Sequence, residues 1–145
     1  MCHAIGNMMA VQGGGQILNV SSIAAYQPGP WLSTYFASKA YVLHFSEGLR
    51  EEVKKTGIKV SVLCPGVTRT GFFDAANMNP EAVKRNKSAL SPEEVALYTV
   101  RALDKNKAII MPGWRNRWLT RMPRLLSRWL TRKIAASVNK SYCPR

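Results

Sequence analysis

The chain has 145 residues, 46% of them hydrophobic and 20% charged, the length and balance of one globular domain, which excludes a disordered or collagen-like polymer. The net charge of +13 is uneven: residues 1–113 hold 12 Lys/Arg and all 8 Asp/Glu, whereas residues 114–145 hold 9 Lys/Arg and no acid. No apolar run is long enough to span a bilayer, Met1 to Gly15 lacks a signal peptide's basic start, and three cysteines without C-x-x-C spacing exclude a disulfide framework, so a cytoplasmic protein is expected.

Met1 to Val11 reads as the end of a helix, stopped by Gly13-Gly14-Gly15. The triplet is a poor phosphate loop, because a strand follows it where a phosphate loop needs a helix. Gln16 to Val20 is that strand, and it enters a Ser/Gly/Pro-rich loop over 21–32. Ser33 to Lys55 is a long helical stretch ended by Gly57, and Ile58 to Leu63 is a second strand broken by Pro65-Gly66. Ser91-Pro92-Glu93-Glu94 has the form of a capping box with proline at the first helical position, starting a helix to Asp104. Lys107 to Met111 reads as a third strand. Strands alternating with helices, and apolar enough to be buried on both faces, predict an α/β fold with a parallel, doubly wound sheet. Three strands make only a partial sheet. Two parts are expected: a body over 1–113 and a basic helical tail over 114–145.

The chemistry lies in four pieces that occur in order: Asn19-Val20-Ser21-Ser22, Tyr35-Phe36-Ala37-Ser38-Lys39, Pro65-Gly66 and Thr70. Tyr35 and Lys39, four residues apart, lie on one helical face and can point into one site. A free tyrosine ionises near about 10 and is a poor base at neutral pH. A neighbouring ammonium favours the phenolate and brings the pair closer to the range general acid–base catalysis requires. No Cys/His/acid cluster has metal-ligand spacing. His3 and His44 are read as structural or surface residues, His44 lying well off the face of Lys39.

Together the four pieces resemble the short-chain dehydrogenase/reductase family, marked by Y-x-x-x-K on a helix after a strand that ends in serine. The resemblance covers about residues 13–113. It implies the C-terminal, catalytic part of a Rossmann-type fold that moves hydride between NAD or NADP and a carbonyl or alcohol. Ser22, thirteen residues before Tyr35, would orient the substrate oxygen, and Ser21 would have no chemistry of its own. Tyr35 would give or take the proton, and Lys39 would also hold the nicotinamide ribose. Pro65 and Gly66 would open the cofactor loop at the carboxyl end of the sheet, and Thr70, in P-G-x-x-x-T, would contact the carboxamide.

The sequence also departs from the family. It contains no T-G-x-x-x-G-x-G strand and turn to hold the pyrophosphate, no N-N-A-G, and not the helix asparagine that the family carries roughly thirty residues ahead of the serine. The residues that choose NAD or NADP would lie in that same absent segment. The expectation is a truncated catalytic half with impaired activity. The alternative is an inactive remnant that acts through its tail.

In that tail Trp118, Leu119, Met122, Leu125, Leu126, Trp129, Leu130 and Ile134 recur every three or four residues, with Arg117, Arg121, Arg124, Arg128 and Arg132 between them. The pattern predicts amphipathic helix, with Pro123 starting a second segment. Two fates are open for it: peripheral attachment of residues 114–138 to an anionic membrane, or packing of the apolar stripe on the body or on a second subunit of a homo-oligomer. Nucleic acid is not expected, since no recognised binding module accompanies the charge.

Overall fold

The computed structural model describes residues 2–143, apart from the side chains at 2–4, 80, 83 and 84; the His3 side chain and the last two residues of the tail therefore fall outside the description. Its centre is a three-stranded parallel sheet in the order β1-β2-β3: β1 is Gly15–Val20, β2 is Ile58–Leu63 and β3 is Ile109–Ile110. The register runs from Gly15 opposite Ile58 to Val20 opposite Leu63, and then from Val62 and Leu63 to Ile109 and Ile110. β3 is shorter than the expected strand over 107–111. The ladder still extends past it, with Val62 N–H donating to Ala108 O at 2.8 Å and Cys64 N–H to Ile110 O at 2.7 Å.

Alternation along β2 decides which helix covers which face. Val62 and Cys64 pack with Leu43 of the long helix α2 (Ser33–Glu52), together with Ala25 and Met111. Leu63 points the other way and joins Ile110 with Val95 and Ala102 of α4 (Pro92–Asp104). β2 is therefore buried on both faces, the signature of a doubly wound sheet. β1 pairs with β2 alone among the described residues, so its other side is a sheet edge.

The sequence signals explain the boundaries. Helix α1 (Cys2–Val11) stops where Gly13 and Gly14 take φ of 85° and 141°. Gly14 N–H closes back on Met9 O at 2.8 Å. A Cβ on Gly14 would come within 2.8 Å of Gly57 O, so glycine there lets the turns before β1 and β2 lie against each other. The capping box is complete: Glu94 N–H donates to Ser91 Oγ at 3.2 Å, and Ser91 N–H donates to the Glu94 carboxylate at 2.7 Å.

Between β2 and α4 lies a short helical turn (Phe72–Ala75) and then α3 (Pro80–Arg85), neither marked by a signal in the sequence reading. The tail forms α5 (Trp114–Leu125) and α6 (Arg128–Lys140). Pro123 does not start the second helix as expected but sits in the last turn of α5. A proline this close to a C-terminus removes one hydrogen bond without breaking the body of the helix. The break comes instead at Leu126, which is extended, and Ser127, whose Oγ accepts from Leu130 N–H at 3.3 Å.

The tail lies on the body, but not through its apolar stripe. Its buried side chains are Asn116, Thr120, Thr131, Ala135 and Asn139, while Trp114, Trp118, Met122, Leu125 and Trp129 remain exposed. Small residues allow close helix approach, and Asn116, Thr120 and Thr131 satisfy themselves locally. Asn116 donates to Pro112 O at 2.7 Å, Thr120 to Asn116 O at 3.0 Å and Thr131 to Ser127 O at 3.1 Å.

Candidate active site

The site forms where β1 and β2 end. Ser21 N–H donates to Leu63 O at 2.8 Å, carrying the β1–β2 pairing one residue past the strand. Ser21 Oγ donates to the backbone oxygen of Lys39 at 2.7 Å, which ties the end of β1 to the middle of α2. Ser21, given no chemistry by the sequence reading, is thus the fastener that sets Ser22 against the helix. Ser22 caps a single 3₁₀ turn (Ile23–Tyr26), its Oγ accepting from Ala24 N–H at 3.1 Å. A hydroxyl that accepts there keeps its own proton to donate to another oxygen.

Across from Ser22, Tyr35 and Lys39 share one face of α2. Lys39 Nζ lies 5.7 Å from the centre of the Tyr35 ring and donates to Val20 O at 3.3 Å, at the carboxyl end of β1. That bond takes one of three ammonium donors. The Tyr35 ring is held by Phe36 on one side and Phe72 on the other, at centroid distances of 6.0 and 5.7 Å. The 72–75 turn thus covers the tyrosine.

Ser22, Tyr35, Lys39, Pro65, Gly66 and Thr70 all line one cavity of about 850 Å³, so the six residues singled out in the sequence occupy one place. Thr70 Oγ1 accepts from Phe72 N–H at 3.3 Å and starts the covering turn. Gly66 is needed for space: a Cβ there would lie 2.5 Å from the amide nitrogen of Asn116 in α5. Most of the remaining wall is apolar, and part of it comes from the tail through Leu119, Ile134 and Val138.

Sequence reasoning missed the residues that close the tail over this cavity. Asn139 donates to Pro30 O at 3.1 Å, and Asn79 N–H donates to Tyr142 O at 3.0 Å. The Tyr142 ring lies 6.1 Å from that of Phe73. Only the polar residues at 116, 120, 131 and 139 hinted at this, because a buried polar edge breaks an otherwise apolar and basic pattern. His44 is a surface residue, 3.7 Å from the Glu47 carboxylate.

Behind the site Cys64 is fully buried beside Tyr26 and Ser21, and burial pushes its thiol up to about 11. The folded chain therefore keeps this proton where the unfolded thiol, ionising near 9.0, has lost it. Stability from this group is complete below pH 9 and is lost as pH rises through 11, by about 2–3 kcal/mol. Burial pushes the Tyr26 phenol up as well, with the same sign. Urea unfolding from pH 8 to 11 should show the loss, and Cys64→Ala should flatten it; an unchanged slope would show that the thiol is not responsible.

The model of the short chain dehydrogenase family matches residues 1–81, more than half the chain. The chain belongs to that family. Several known proteins resemble it over longer stretches. The Mycobacterium tuberculosis protein named "Probable oxidoreductase EphD" is 35% identical over 123 residues, covering 74% of this chain and 21% of that one. The 7beta-hydroxysteroid dehydrogenase of Mediterraneibacter gnavus is 32% identical over 111 residues, covering 76% of this chain and 42% of that one. A short-chain dehydrogenase from Sphingobium yanoikuyae, solved in complex with NADPH, superposes with a TM-score of 0.72 at 27% identity, over 81% of this chain and 45% of that one. The chain thus spans about a fifth to two fifths of these curated relatives and less than half of that solved structure. The architecture is accordingly part of a Rossmann-type α/β fold.

Proposed function

We propose that these residues form the reacting half of an NAD(P)-dependent oxidoreductase acting on a small-molecule carbonyl or alcohol. One observation carries the reading: the Ser22 hydroxyl, the Tyr35 phenol and the Lys39 ammonium line one cavity at the carboxyl ends of β1 and β2, with Lys39 against the Tyr35 ring. Ligands of open α/β sheets bind at those strand ends. The nicotinamide end of the cofactor fits the groups present, because Lys39 has ammonium donors beyond its bond to Val20 O and Thr70 lines the same space. When bound, that group supplies or accepts the hydride.

The chain's own residues do the remainder. Ser22 donates its free proton to the substrate oxygen and fixes the carbonyl. Tyr35 passes a proton to that oxygen in reduction and takes it back in oxidation. Lys39 holds the ribose hydroxyls with the ammonium donors left free beside the Tyr35 ring. Pro65 and Gly66 set the loop on which Thr70 stands. In this reading 1–113 carries the chemistry and the described part of 114–145 roofs the cavity. NAD and NADP are equally compatible with the residues present. A chain without turnover that acts through its tail is the second reading, favoured by the exposed tryptophans of α5 and α6.

Lys39→Ala separates the two. In a polypeptide that supplies a nucleotide-binding half ahead of these residues, it should weaken dinucleotide binding about tenfold by removing charge-assisted hydrogen bonds. It should also lower kcat about a hundredfold, the scale of a general acid–base contribution. Wild-type binding and turnover in the variant would contradict the assignment.

A further inference from the structure

The tail helices pack against the body with the wrong face for an ordinary terminal helix. On α5, Trp114, Trp118, Met122 and Leu125 form one stripe at helical spacing, and buried Asn116 and Thr120 lie on the opposite side. Exposure of 67% at Trp114, 61% at Trp118 and 81% at Leu125 means that the stripe faces outward. On α6, Thr131, Ala135 and Asn139 are buried, while Trp129 is 60% exposed. Folding has thus directed the small and polar edge inward and left three tryptophans outside.

The charge says what covers them. Arg115, Arg117, Arg121, Arg124, Arg128, Arg132, Lys133 and Lys140 are all exposed, and residues 114–145 contain no Asp or Glu to pair with them. Two of these cations lie over the exposed indoles, Arg115 at 5.6 Å from the Trp114 ring and Lys133 at 5.9 Å from that of Trp129. A second copy of this chain would bring two such cationic faces together. A lipid interface takes the indoles at headgroup depth while the long basic side chains reach anionic headgroups. Neither helix is long and apolar enough to cross a membrane, so both would lie on it.

We infer that α5 and α6 form a peripheral attachment surface for anionic membranes. The inference stands on the tail alone and holds whatever chemistry Tyr35 performs. Because Leu119, Ile134 and Val138 also wall the cavity, the helices that carry this surface adjoin the site.

The test is flotation of the 145-residue chain with vesicles of phosphatidylcholine alone or mixed with phosphatidylglycerol. Vesicle-bound chain rises, whereas free or aggregated chain stays down. The chain should rise with the anionic vesicles only, and binding should fall by at least about tenfold from about 0.1 M to about 1 M salt as the Debye length shrinks. Trp118→Ser with Trp129→Ser should reduce binding about tenfold or more, as should Arg121→Gln with Arg132→Gln. All four positions are exposed, so neither change disturbs the core. Trp31→Asn, at an exposed indole outside the tail, should leave binding unchanged. The inference is overturned by equal binding to both vesicle types, by insensitivity to the tail variants, or by a chain that stays down while self-associating or binding nucleic acid instead.

Discussion

Tyr35→Phe is expected to lower turnover by about a thousandfold, within the range a general acid–base group contributes, in a polypeptide that supplies the nucleotide-binding half. The change removes one oxygen and keeps the ring, so the contacts with Phe36 and Phe72 survive and the cavity keeps its shape. Dinucleotide affinity should stay within about threefold of wild type, a difference of under about 1 kcal/mol. That split between kcat and binding distinguishes a proton-transfer role from a packing role. A packing residue would move stability and affinity together. Steady-state kinetics with fluorescence titration of NADPH gives both numbers, and comparable turnover by the variant would refute the role.

The second large effect concerns these 145 residues on their own. Titrated with NADPH or NADH, they should show no affinity tighter than about millimolar and no reduction of simple carbonyls. In folds of this kind a glycine-rich turn and a helix N-terminus grip the pyrophosphate, and no T-G-x-x-x-G-x-G occurs in the sequence. Losing a grip worth about 4 kcal/mol weakens binding about a thousandfold. What remains is the nicotinamide end, through Lys39 and the loop carrying Thr70. Calorimetry on monodisperse protein decides the matter: micromolar binding with turnover would mean that Lys39, Thr70 and their neighbours suffice.

Much of this was legible in the residues. The glycine triplet, the two β-branched runs and the capping box gave α1, β1, β2 and α4 because each is a local signal with a local cause. The grouping of Ser22, Tyr35 and Lys39 in one cavity was legible too, since their spacing is a property of one strand end and one helix face. What escaped was non-local. Ser21 reads as idle until its hydroxyl is seen on Lys39 O, and Gly66 reads as a turn until Asn116 is seen to fill its space. The tail misled most. Its apolar period identified the helices correctly, but periodicity does not say which side meets the body. The answer lay in close packing by Thr, Asn and Ala, together with contacts from Asn139 and Tyr142 to loops more than fifty residues earlier in the chain. Pro123 was likewise taken for a boundary, because one proline weighs more in a linear reading than the Ser127 cap that sets the break.

The proposal that Ser22, Tyr35 and Lys39 serve hydride exchange with a nicotinamide is tested most directly by following the hydride. A polypeptide joining a nucleotide-binding half to these residues would be incubated with NADPH or NADH deuterated at C4 and a panel of apolar ketones. Products would then be read by mass spectrometry. Deuterium on the carbinol carbon of a product, made by the wild type and not by Tyr35→Phe, is the expected result. Unlabelled product, or equal labelled product from Tyr35→Phe, would contradict it.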